Sequence, residues 1–68
     1  MNGLIFLVED APEGGYTAHA LEQSIVTEAD DLETLHRNVR DAVHCHFEDT
    51  AAPRVVRLHF VREEVIAV

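Results

Sequence analysis

Apolar and polar residues follow two different rhythms along this chain. Leu4-Ile5-Phe6-Leu7-Val8 is an unbroken apolar run of five residues. A run that short, followed by turn chemistry, predicts a strand, with Leu4, Phe6 and Val8 on one side and Ile5 and Leu7 on the other. Asp10-Ala11-Pro12-Glu13-Gly14-Gly15 predicts the reversal, because proline cannot donate to a ladder and paired glycines supply the positive φ of a hairpin connection. A second strand is expected over residues 16–21, and a short third one over the β-branched stretch Ser24-Ile25-Val26-Thr27. The three form a meander.

The rhythm then changes to a helical one. Leu32, Leu35, Val39, Ala42, Val43, His46 and Phe47 recur at spacings of three and four, which places them on one stripe of a helix about 25 Å long. Asp30 is the expected N-cap, with Glu33 three residues on closing a capping box and Asp31 adding charge that favours the positive end of the dipole. Glu33, Arg37, Arg40, Asp41, His44 and Glu48 fall outside the stripe and are expected in solvent. The helix is expected to end near Asp49, ahead of Pro53. Residues 55–61 return to alternation, Val56, Leu58 and Phe60 against Val55, Arg57, His59 and Val61, as a fourth strand does. Arg62-Glu63-Glu64 interrupts it, and Val65-Ile66-Ala67-Val68 is apolar enough for a fifth short strand or a tail that pairs with another chain. The fold class read from this order is α+β in two layers, β-β-β-α-β(β), a small antiparallel-rich sheet with one helix on one face.

Size changes what that architecture needs. A chain of 68 residues buries only roughly 60% of the surface it exposes unfolded. Small domains supplement their cores with disulfides, metals or partner subunits. Cys45 is the only cysteine and cannot bridge within the chain. One helix covers one face of a sheet, so Ile5 and Leu7 on the far face, with Val65, Ile66 and Val68 of the tail, are the candidate surface for a homo-oligomer, a dimer or a tetramer, or for another partner. The competing reading has the tail fold back over Ile5 and Leu7.

Charge narrows the choice of partner. Thirteen acids against five bases give a net charge of −8, which repels phosphate backbones and argues against direct nucleic-acid binding. It favours encounter with a basic partner, although it also serves solubility. The longest apolar run is too short for a bilayer span and no basic segment precedes it, so no membrane association is expected and the cytoplasm is the expected location.

Candidate chemistry is sparse. His44-Cys45-His46 looks like a metal cluster until placed on a helix, where residues two apart diverge by roughly 200°. Helical zinc ligands sit at i and i+3 or i+4, so no metal site is expected; His46 reads as a partly buried stripe residue and His44 as a surface one. Glu9 and Asp10 lack the further carboxylates a two-metal site needs. Gly14-Gly15 lacks the helix and lysine of a phosphate loop. With no acid/base pair or activated nucleophile, neither catalytic residues nor a cofactor are expected, and the chain reads as a non-enzyme.

The order β-β-β-α-β, with Glu13-Gly14-Gly15-Tyr16-Thr17-Ala18 opening the second strand and Thr27-Glu28-Ala29-Asp30-Asp31-Leu32-Glu33-Thr34-Leu35-His36-Arg37-Asn38-Val39 opening the helix, resembles the HicB-like antitoxin superfamily over nearly the whole of residues 1–68. Residues 57–68 look most like the end of its short orphan type. The resemblance implies a truncated ribonuclease H-like fold without catalytic acids, assembly into dimers or tetramers, and occlusion of a small basic RNA-cleaving toxin, HicA. The chain departs from the pattern at Leu21-Glu22-Gln23, where typical members carry a Pro-Gly-Cys turn, and shows no DNA-binding extension, so autorepression is not expected of it. An orphan oligomer with a structural or small-molecule-binding role is the alternative.

Overall fold

A computed structural model describes residues 3–47 and 51–68. The elements are β1 (Gly3–Asp10), β2 (Tyr16–Ala20), β3 (Val26–Ala29), α1 (Leu32–His46) and β4 (Val55–Val61), in the α+β order expected. They build a four-stranded mixed sheet of order β3-β2-β1-β4, with α1 packed on one face. The meander is antiparallel throughout. Only β4, which returns after the helix, lies parallel to β1, pairing Leu4 with Val56, Phe6 with Leu58 and Val8 with Phe60.

Alternation along β1 decides the layers. Leu4, Phe6 and Val8 point at the helix and are buried, joined by Ala18 and Ala20 of β2, by Ile25, and by Leu35, Val39 and Val43 of α1. The helix backbone comes nearest β3 and β2, where Ala18 and Ala20 are small, and Leu35, Val39 and Val43 close over the larger side chains of β1. The first reversal is closed by Ala11 N–H to the Gly15 carbonyl and Gly14 N–H to the Ala11 carbonyl, each 3.0 Å. Both glycines have positive φ, 102° and 83°. A side chain on Gly15 would meet the Ala29 carbonyl oxygen at 2.6 Å, so the meander closes tightly only because that residue is glycine.

Several boundaries differ from the sequence reading. The third strand runs Val26–Ala29, not 24–27, because Ile25 leaves the ladder to fill the core while its carbonyl accepts from Ala20 N–H at 2.9 Å. The cap is Asp31, not Asp30. Its backbone is extended, with φ −141° and ψ 169°, and its Oδ1 accepts from Thr34 N–H at 2.7 Å. Thr34 therefore occupies the third helical position, so Glu33 stands one residue too early to close a capping box. Leu32 opens the first turn of the helix and is 43% exposed. The helix ends at His46, with Phe47 N–H still donating to the Val43 carbonyl at 3.0 Å. Glu48 and Asp49 lie outside the described residues. Residues 65–68 form no strand on this chain.

Candidate interaction surfaces

Among the described residues, three open surfaces bear on function. The first is the sheet face opposite the helix. Leu7 lies there between His19 of β2 and His59 of β4, its two cross-strand partners, and Ile5 lies beside Arg57. Both leucine and isoleucine are half-buried by these neighbours rather than covered by a layer. The tail does not cover them, since Val65 and Ile66 are 83% and 71% exposed. Of the five residues that the sequence offers as an interface, Ile5 and Leu7 stand on this sheet face, and Val65, Ile66 and Val68 are exposed in the tail.

The second surface is a groove of about 340 Å³ between α1 and β4, lined by His36, Val39, Arg40, Val56, Leu58 and Phe60. It exists because α1 comes nearest β3 and β2 and leaves the edge strand β4 only partly covered, so the helix-facing side chains of β4 have a wall on one side only. Val56 and Leu58 are half-buried and Phe60 is 54% exposed. Alternation along β4 identifies the three floor residues, whereas the groove itself follows from the position of the helix and has no local signal.

The third is an open cleft of about 760 Å³ at the turn end of the meander, where Glu13, Glu28 and Asp30 stand among Pro12, Tyr16 and Asn38. No basic side chain lines it. Asn38 Nδ2 donates to the Glu28 carbonyl at 3.0 Å and ties α1 to β3 along this cleft. Asp31 caps the helix nearby; its carboxyl titrates below the ordinary value because it accepts from Thr34, with Arg37 adding a smaller favourable charge.

The histidine and cysteine cluster has no site geometry. His44, Cys45 and His46 are all exposed. His46 is not the partly buried stripe residue its spacing implied: it lies past the end of the buried stripe, its Nε2 3.0 Å from Gln23 Oε1 and its ring edge-on to Phe47. Among the described residues no three His, Cys, Asp or Glu side chains converge as a metal site would require. No helix among them is long and apolar enough to cross a membrane.

Two known proteins are similar to this chain over most of its length. A UPF0150 protein of Archaeoglobus fulgidus is 51% identical over 55 residues, covering 81% of this chain and 82% of that protein. The chain belongs to the UPF0150 family. A second UPF0150 protein, from Thermotoga maritima, is 38% identical over 65 residues, covering 96% of this chain and 91% of its own length. No protein-family model and no solved structure matches the chain. Both matches span four-fifths or more of this chain and of each relative.

Proposed function

We propose that this UPF0150 protein is a non-catalytic, HicB-like interaction module that self-associates and uses its acidic surface to cover a basic partner, a small RNA-cleaving toxin of the HicA kind. The observation that carries this reading is the exposed apolar side chains on both faces of β4 and along the tail: Phe60 on the helix side, Val55 and Val61 on the opposite side, and Val65, Ile66 and Val68 beyond the strand. Exposed apolar area of this extent on so small a domain is what contact surfaces provide. The charge of −8 and the carboxylate-lined cleft supply the complementary attraction, which speeds encounter with a basic protein and repels nucleic acid.

The test is to co-express the chain with the adjacent small basic reading frame. Relief of growth arrest and co-purification support the antitoxin role, with an association rate that falls as salt rises because steering is screened beyond about 8 Å at physiological ionic strength. A harmless neighbour, or no binding in low salt, removes it. Self-association is read separately by light scattering: a dimer or tetramer is expected at micromolar concentration, and a monomer refutes it.

A further inference from the structure

The groove beside α1 and the exposed tail are complementary in three respects. Both are apolar. Val56, Leu58 and Phe60 form the groove floor at every second residue of β4, and an extended segment presents side chains with the same period, roughly 7 Å apart. Ile66 and Val68 would therefore face the floor together. The charges also match. The groove wall carries His36 and Arg40, while Glu63 and Glu64 stand immediately before the apolar tail. On a chain with five basic residues, few other places would attract that acidic pair.

The geometry disfavours the chain's own tail as occupant. β4 ends at Val61, so the tail would have to reverse within Arg62-Glu63-Glu64 to lie back along its own strand. That triplet contains none of the glycine, proline, asparagine or aspartate residues that build tight turns. The tail instead runs on without strand structure, and the molecule is drawn out to 51 Å against 21 and 17 Å in its other dimensions. Seven residues reach roughly 23–25 Å when extended, enough to cross to a neighbouring molecule.

We propose that residues 65–68 of one copy fill the α1/β4 groove of a second copy, with Glu63 and Glu64 meeting Arg40 and His36, and that the exchange is mutual. A two-fold dimer would fill both grooves at once and leave neither tail exposed. The inference rests on the self-association reading and assigns its contact.

Charge exchange tests it by sedimentation equilibrium. Arg40→Glu alone and the double variant Glu63→Arg/Glu64→Arg alone should each raise the dissociation constant about tenfold or more, since each sets like charges opposite one another. Mixed in equal amounts they should recover a heterodimer, because each groove then faces a tail of opposite charge. Ile66→Asp should dissociate the wild-type assembly, and circular dichroism should show an unchanged fold, since the residue is exposed. If the assembly persists in all three variants, tail exchange is wrong while self-association stands. A monomeric wild type overturns both.

Discussion

Tyr16 and Phe60 meet edge to face across β1, with ring centroids 6.3 Å apart and planes at 90°. Tyr16 borders the acidic cleft and Phe60 the apolar groove, so this ring pair divides the two surfaces. It also ties the start of β2 to the end of β4, elements far apart in sequence. Edge-to-face pairs contribute about 0.5–1.5 kcal/mol beyond burial. A double-mutant cycle of Tyr16→Ala and Phe60→Ala, followed by urea denaturation, should return a coupling in that range. Additive losses would show that the rings are merely neighbours.

Gly15 and Gly14 should not respond alike to substitution. Both have positive φ, which costs a residue with a side chain about 1–2 kcal/mol. At Gly14 nothing lies within 4 Å of the added carbon, whereas at Gly15 it would collide with the Ala29 carbonyl oxygen. Gly15→Ala should therefore destabilise well beyond Gly14→Ala, because β3 must shift to accommodate it. Equal denaturation midpoints would contradict this packing.

Substitution along α1 should separate two leucines that the stripe treats as equivalent. Leu35 is fully buried and Leu32 is 43% exposed. Leu35→Ala should cost about 2–5 kcal/mol through lost burial and the cavity left behind. Leu32→Ala should stay within about 1 kcal/mol, as surface changes do. Similar losses at both would place the helix start deeper in the core than the structure has it.

The cap makes a pH-dependent contribution. The Asp31 carboxyl has a lower pKa folded than its ordinary 3.8, chiefly because Thr34 N–H donates to it. Its stabilisation is therefore present above that ordinary value and is lost as pH falls through the lower folded one. Asp31→Asn should keep the cap at neutral pH and remove this acid dependence, since asparagine also caps but does not titrate there. Asp31→Ala should lower the midpoint at neutral pH, while Asp30→Ala leaves it nearly unchanged. The reverse order would return the cap to Asp30.

Much of this fold was legible in local patterns. The apolar run at residues 4–8, the glycine turn, the Leu35, Val39 and Val43 face and the alternation of residues 55–61 each appear as read. Each depends on the period of a single element, and period is written in adjacent residues. The misreadings share a cause. Asp30 and Asp31 are chemically equal as caps, and the choice fell to where the helix docks on β3. Ser24-Ile25-Val26-Thr27 looks uniformly β-forming, yet Ile25 was drawn from the ladder by the core it fills.

For the open surfaces the division is sharper. Sequence by itself determined that the chain is acidic, that Ile5 and Leu7 oppose the core side of β1, and that residues 65–68 are apolar. Tertiary structure alone decided that β4 pairs parallel to β1 at the sheet edge and that α1 comes nearest β3 and β2. Those two choices open the groove over β4, and among the described residues the apolar tail stays exposed. Strand partners and helix placement are set by contacts between residues distant in sequence, where small side chains such as Ala18 and Ala20 admit the helix, and no local periodicity records that outcome.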